Sequence, residues 1–572
     1  MLRQWRTNLA ALLGYIGVSC LLFGWRLLPH PGQKLIGFGA EGKQRDPEIF
    51  VWSFAWWPHA IAHWTNPFFT HEIFAPTGIN LTWTTSVPGL ALAFSPLTWL
   101  LGPDVSYNVA ALLLPAVSAW TAFLLCRYVT GSTWAALVGG YLFGFSSYVL
   151  GHADGGHLNL IGVFLVPLVA LALVRYARAE LSGVSLTWRL GVALALELLI
   201  STEVTVTLTV ALVLGVLLAY LLLPEVRRRL LHSAVPIAAG YLVAGALAAP
   251  FLVYVVKGFV HTGFADPSFF NGDLLNVVVP THLTGVGGSA LESVSRRFPG
   301  NDNERGLYLG LPVVAMVAAL AVRGPNARVA RYLVAALAVA LLLALGTSLH
   351  VEGHRIIALP WKAVVHRPIV DNVLPARFSL YMSLAAAVAA AIWTGSVRGR
   401  LWRRPVVLPL LAVVSLVPAV WQVNFAGRPE RWSFFTQHLY KVCVPRGETL
   451  AIFPFGRWGD SMLWQAESGF WFRMAEGSMG RDNYPPNFVY DPIVSMLQFQ
   501  FIDPNVRPTM KQLRSYATSH HVDRFASVVV HAYPDGNQLH RFGPVQELGG
   551  VVVSPACGYD SLAGDKRRIE NS

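Results

Sequence analysis

The chain has 572 residues, of which 54% are hydrophobic and only 13% charged, with a mean hydropathy of +0.49 and a net charge of +12. This balance excludes a water-soluble globule, which needs far more charge on its surface. The net charge reads as a topology signal rather than a nucleic-acid footprint, since the arginines lie in connectors between apolar runs and no basic tract interleaved with aromatics appears in residues 424–572.

Runs long enough for a hydrocarbon core, which takes about 20 residues, recur near 8–28, 105–126, 132–150, 159–176, 187–201, 203–223, 233–256, 307–322, 329–347, 378–395 and 405–423. The expected fold class is therefore mainly α: a polytopic membrane protein of about eleven spans with juxtamembrane helices and a small C-terminal α/β domain. The connectors holding Arg3, Arg6, Arg127, Arg175, Arg178, Arg189, Arg227, Arg228, Arg229, Arg323, Arg328, Arg331, Arg398, Arg400, Arg403 and Arg404 are assigned to the cytoplasm by the positive-inside rule. A full crossing by residues 84–102, which contain Pro88 and Pro96, would put every later cluster outside. That stretch is read as a juxtamembrane or re-entrant helix. The N-terminus is then inside and the C-terminal domain outside. The first run shows no Ala-x-Ala cleavage site, so it reads as a span rather than a signal peptide.

Four segments share the outer face: 29–104, 150–158, 257–306 and 348–377. The first carries Gln44-Arg45-Asp46-Pro47-Glu48, two carboxylates directly after a span. It continues through Trp52, Trp56 and Trp57 to His59 and His63, a density of indoles that predicts an interfacial helix. The second, Gly151 to Asn159, puts His152, Asp154 and His157 on a glycine-flexible tip, where they could hold a divalent metal (Mg, Mn or Zn) or orient a phosphate. No spacing of a closed zinc site accompanies them. Glu197 and Glu203 lie in or at the end of adjacent spans, where a carboxylate is costly and usually functional, Glu203 at the outer hairpin tip and Glu197 about one helical turn or more deeper. In the third segment the notable acids are Asp273 and Glu304. The fourth carries His350, His354, Arg355, Lys362, His366, Arg367 and Arg377, and positive charge on this side runs against the topology bias, as a phosphate-binding surface would.

Residues 1–423 form one expected domain and 424–572 a second. The runs Thr449 to Phe453, Ala526 to Val530 and Gly550 to Val553 read as strands, and Thr509 to His521 as a helix. Gly456 to Trp464 and Phe470-Trp471-Phe472 mix polar and aromatic side chains, which suits a buried core or a sugar-contacting surface. Cys443 and Cys557 share this outer domain, where an oxidising compartment makes a disulfide between them plausible; Cys20 and Cys126 lie in spans.

In its layout (an acid pair in the first outer loop, an aromatic helix, a proline-started re-entrant helix and a second acid loop at Asp154) the chain resembles the GT-C membrane glycosyltransferases. The stretch Phe143-Gly144-Phe145-Ser146-Ser147-Tyr148 to Gly156-His157-Leu158-Asn159-Leu160 is similar to bacterial YfhO-like proteins. The resemblance implies sugar transfer from a polyprenyl-phosphate-linked donor to an envelope glycan, lipid or protein acceptor at the outer face of a bacterial cytoplasmic membrane. It implies that Asp46, Glu48 and Asp154 are catalytic, with either Asp46 or Glu48 as the base. Arg377, His157, His366, Lys362 and Glu203 then bind substrate, and His152, Asp154 and His157 hold any metal. The competing classes are a lipid-linked substrate transporter or flippase, with Glu197 as its translocation carboxylate, and a non-catalytic envelope assembly protein.

Overall fold

The computed structural model describes residues 2–39, 45–258, 267–365, 367, 370–396, 404–421, 425–479, 490–499, 503, 505–528, 534 and 536–562. Gln44 and His366 lie outside these described residues. The chain is a polytopic α-helical protein and divides into two compact units. The first comprises Met1–His30, Asn108–Ala249 and Gly263–Ala426, and the second Pro31–Tyr107, Pro250–Thr262 and Gly427–Ser572.

Among the described residues seven helices are long and apolar enough to cross a membrane: Gln4–Gly24, Pro103–Thr130, Leu158–Ala177, Gly183–Ile200, Thr202–Leu222, Ala327–Ala344 and Pro375–Ser396. Two bent pairs, Thr133–Gly144 with Ser147–Asp154 and Pro224–Leu231 with Ala234–Leu247, raise the number to nine if each is one span. The stretches expected at 307–322 and 405–423 are helical but short. Leu311–Arg323 and Val406–Ser415 reach roughly 20 Å or less at about 1.5 Å per residue, short of a hydrocarbon core of about 30 Å. Residues 84–102 form two brief helices, Pro88–Ala93 and Ser95–Leu101, each started by a proline in its first turn and neither long enough to cross.

The spans of the first unit approach closely through small residues. A Cβ on Gly144 would stand 2.4 Å from the Ala119 backbone, and one on Gly191 2.6 Å from Val243. Close backbone approach of this kind is what draws apolar helices together where lipid supplies no hydrophobic drive. The break after Gly144 has a local cause. Ser146 is extended and its hydroxyl caps the following helix at the Val149 N–H, so Ser147–Asp154 begins afresh at an angle of 40° to its predecessor.

The second unit is built on a five-stranded sheet. Thr449–Phe453 runs parallel to Arg524–Val528 on one side and to Arg473–Met474 on the other, and the antiparallel strands Val551–Ser554 and Gln546–Leu548 extend the far edge. Leu450, Ala451, Ile452 and Phe453 are all buried, as an unbroken apolar run in a parallel sheet must be. The helix expected after Thr509 is present as Met510–Ser519, started by a Thr509/Gln512 capping box. Cys443 and Cys557 are joined in a disulfide.

The helix Asp46–Ala62 differs from the expectation of an interfacial element. Trp52, Trp56 and Trp57 are buried inside the second unit, and their N–H groups donate to Gln465, Pro67 and Ser86. Indoles satisfy the same preference, an apolar body with one polar contact, in a protein core as at a headgroup layer. The Gly456–Phe472 region follows the same rule, with Trp464, Phe470 and Phe472 in the core.

Candidate functional site

In the first unit, helix Ser147–Asp154 presents Tyr148, Gly151, His152 and Gly155 on one face, at the spacing of successive helical turns. The loop 303–306 lies against that face. A Cβ on Gly151 would fall 2.6 Å from the Asn303 carbonyl oxygen, and one on Gly155 2.6 Å from the Asn303 side-chain amide. Glycine at 151 leaves room for the loop backbone and glycine at 155 for the Asn303 side chain, and the approach carries Glu304 to His152, whose Nε2 is 3.9 Å from Glu304 Oε2.

Arg377, in the short helical turn Pro375–Phe378, completes the cluster. Its Nε donates to both Glu304 oxygens at 3.0 and 3.1 Å, Nη2 donates to Glu304 Oε1, and Nη1 donates to Glu203 in the first turn of Thr202–Leu222. Burial alone would raise the Glu304 carboxyl, but Arg377 and His152 outweigh it and bring it down to about 2. The single guanidinium charge is therefore met by two carboxylates, and a phosphate approaching Arg377 would meet Glu203 and Glu304 first. Glu203 keeps one buried oxygen without a hydrogen-bond partner among the described residues.

His152 and His157 face each other through Nδ1 atoms 3.0 Å apart, so one ring donates and the other accepts. Asp154 ends its helix half-buried, with Asp302 and His157 as its titratable neighbours. Among the described residues no three His, Cys, Asp or Glu side chains form a group that could hold a metal ion. Lys362 is exposed in the turn Pro360–Ala363. Glu197 is fully buried in Gly183–Ile200, and neither of its oxygens has a hydrogen-bond partner among the described residues. Asp273 is structural: its carboxylate accepts the N–H groups of Leu275, Glu352 and Gly353.

In the second unit the two acids of the first outer loop part company. Asp46, the first residue of helix Asp46–Ala62, is exposed, and Pro47 follows it in the first turn, where a missing N–H costs nothing. Glu48 is 3% exposed. Burial raises its carboxyl to about 8, although Arg45 Nη1 stands 3.5 Å from Glu48 Oε1 and works against that rise. Arg45 also pairs with Asp460, whose other oxygen accepts the Glu430 N–H. Beside this lock, Gln465 accepts from Trp52 Nε1 at 2.8 Å and donates to the carbonyls of Glu72 and Phe472 at 2.6 and 3.0 Å, which fixes the helix that bears Asp46. The roles of Arg45, Asp460 and Gln465 are invisible in the sequence. Only the three-residue step from Arg45 to Glu48 hints at a pair on one helix face.

The family model described as a domain of unknown function (DUF6311) matches residues 11–420. No curated protein matches the sequence. Among solved structures, the arabinofuranosyltransferase AftD from Mycobacteria is similar at a TM-score of 0.60 and 17% identity over 96% of this chain and 40% of that one. The oligosaccharyltransferase AglB from Archaeoglobus fulgidus, in complex with an inhibitory peptide and a dolichol-phosphate, is similar at 0.50 and 14% over 91% and 69%. ArnT from Cupriavidus metallidurans, bound to undecaprenyl phosphate, is similar at 0.51 and 12% over 96% and 98%. The chain thus spans well under half the length of the mycobacterial chain. At such identities the likeness is one of fold. With a family match over most of its length, the chain belongs to the DUF6311 family, and its fold is that of the GT-C membrane glycosyltransferases.

Proposed function

We propose that the chain transfers a sugar from a polyprenyl-phosphate-linked donor to a glycan, lipid or protein acceptor at the extracytoplasmic face of a bacterial cytoplasmic membrane. The fold supports glycosyl transfer, and the lipid phosphates named for AglB and ArnT support the donor class. The observation that carries the assignment of roles is the contrast between Asp46 and Glu48. A general base must reach an acceptor hydroxyl, and of the two acids Asp46 is the one at the surface. In the proposed step the acceptor oxygen bonds to the anomeric carbon, its proton passes to the Asp46 carboxylate, and the bond from that carbon to the phosphate oxygen breaks to release the polyprenyl phosphate. A carboxylate is basic enough where the sugar carbon becomes oxocarbenium-like.

Glu48 is assigned a supporting part, holding Arg45 toward Asp460. Asp154 remains a proposed catalytic partner and His157 a proposed substrate contact. The proposal gives the leaving phosphate to exposed Lys362 ahead of Arg377, whose charge is spoken for by Glu203 and Glu304. The purified chain incubated with a polyprenyl-phosphate sugar should release free polyprenyl phosphate in an acceptor-dependent way. Consumption of no such donor from a panel of pentose, hexose and aminosugar phosphates would reject the reading. One observation favours transport instead: Glu197, fully buried with both oxygens unpartnered among the described residues. Donor translocation in vesicles that is abolished by Glu197→Gln would support that alternative.

A further inference from the structure

Among the described residues of the second unit, Trp64 is the most exposed large hydrophobic side chain, at 97%, and it stands in the left-handed backbone region at φ 54°. Both features run against its chemistry. An indole has every reason to leave water, and a left-handed residue at a helix end is usually glycine or asparagine. Local hydrogen bonds hold it there. The Trp64 N–H donates to the Ile61 carbonyl at 3.2 Å, and the Thr65 N–H and hydroxyl donate to the Ala60 carbonyl at 2.9 and 3.2 Å, closing the end of helix Asp46–Ala62. The turn is thus imposed by backbone bonds that glycine would make equally well, and within the chain the ring gains no burial in return.

The neighbours indicate what the ring meets. Asn66, two residues on, donates from Nδ2 to the Tyr254 hydroxyl at 2.8 Å, and Phe68 stacks on the Tyr254 ring at 5.0 Å. Tyr254 belongs to helix Ala249–Lys257, which closes an apolar stretch of the sequence and exposes Val253 and Val256. Lys257, at the last position of that helix, lies over the Tyr254 ring at 5.5 Å. A tyrosine and a lysine ending an apolar helix with bare valines on its side make the usual pattern of a chain leaving hydrocarbon for headgroups. The second unit also exposes Trp99, Leu100 and Leu101 at the end of helix Ser95–Leu101.

We infer that Trp64 lies in the phospholipid headgroup layer, at the level of Tyr254 and Lys257, and that it is a lipid anchor for the C-terminal end of the helix whose other end carries Asp46. The inference is independent of the glycosyltransferase reading. Its occupant is bilayer phospholipid, because the helix Ala249–Lys257, to which Asn66 is hydrogen-bonded, exposes Val253 and Val256 and ends in Tyr254 and Lys257, the residue types of a hydrocarbon-to-headgroup boundary.

The full chain in phosphatidylcholine nanodiscs tests it. The emission that Trp64→Phe removes from the wild type should be quenched by lipids brominated near the headgroup, and largely spared by lipids brominated near the chain ends and by aqueous iodide. Quenching by iodide without quenching by brominated lipid would overturn the inference and mark a water-facing surface. Strong quenching by the deep bromines would overturn it as well. Trp64→Gly should fold in detergent with an unchanged or higher unfolding temperature, since glycine adopts the same φ freely. A fall of several degrees would show that the ring packs within the protein and would also reject the anchor.

Discussion

Arg377 and Glu304, 73 residues apart in sequence, form a buried ion pair with the guanidinium Nε 3.0 and 3.1 Å from the two carboxylate oxygens, while Nη1 of the same group holds Glu203. The pair ties the 303–306 loop and helix Ser147–Asp154 to the spans that begin near Glu203 and Arg377. Removing one partner of such a buried set costs roughly 3–5 kcal/mol, because the other charge is left in a low-dielectric interior. Arg377→Met is therefore expected to lower the unfolding temperature sharply in detergent, and adding Glu203→Gln and Glu304→Gln should restore most of the loss. A triple variant no better than Arg377→Met would show that the arginine acts by something other than charge compensation.

The same pair sets a pH window. The folded carboxyl of Glu304 lies at about 2, below its ordinary value near 4.5, so its contribution is complete above the ordinary value and disappears as pH falls toward 2. Stability followed from pH 6 to pH 2 should drop less steeply in Glu304→Gln than in the wild type, and parallel curves would contradict the assignment.

Asp46 and Glu48 should separate in function. Asp46→Asn removes the proposed base with little change of shape, and such losses typically cost about 10²- to 10⁴-fold in rate. The variant should keep its unfolding temperature. Glu48→Gln should behave in the opposite way. Its folded carboxyl is raised to about 8, so stability is lost as pH climbs from the ordinary value near 4.5 through 8. A neutral amide escapes that loss, by an amount on the order of a few kcal/mol at the alkaline end. Melting curves at pH 5 and pH 9 check this, and equal pH slopes for wild type and Glu48→Gln would show that the buried acid is not raised.

The Cys443–Cys557 bond closes a loop of 114 residues. Constraint of so long a loop in the unfolded chain contributes about 4–5 kcal/mol in the chain-entropy account. Reduction, or Cys443→Ser with Cys557→Ser, should shift unfolding of the second unit to markedly lower denaturant while leaving the first unit's spans helical. An unchanged midpoint under strong reductant would contradict it.

The proposed orientation is checked by single cysteines at exposed positions in a background where Cys20 and Cys126 are serine. Lys511→Cys should react with an impermeant maleimide in intact cells, and Arg331→Cys only after the membrane is opened. The reverse pattern would place the second unit's sheet in the cytoplasm and move the proposed chemistry with it.

What the linear sequence determined is what depends on local periodicity and composition. The apolar runs became helices because a chain in lipid must satisfy its own backbone hydrogen bonds, and the run Thr449 to Phe453 became a strand because unbroken β-prone residues need cover on both faces. The disulfide was legible because two cysteines shared one expected compartment. The tertiary structure alone decided the rest. Tryptophan density in Asp46–Ala62 could not distinguish lipid from protein as the apolar surroundings, and the indoles of Trp52, Trp56 and Trp57 went to a core. Nor could the sequence separate Asp46 from Glu48, because a helix start exposes one residue and buries another two positions on only once something packs against it. The partners of Arg377 were unreadable for a similar reason. Glu203 lies 174 residues away and Glu304 lies 73, and charge at that separation is paired by packing rather than by spacing along the chain.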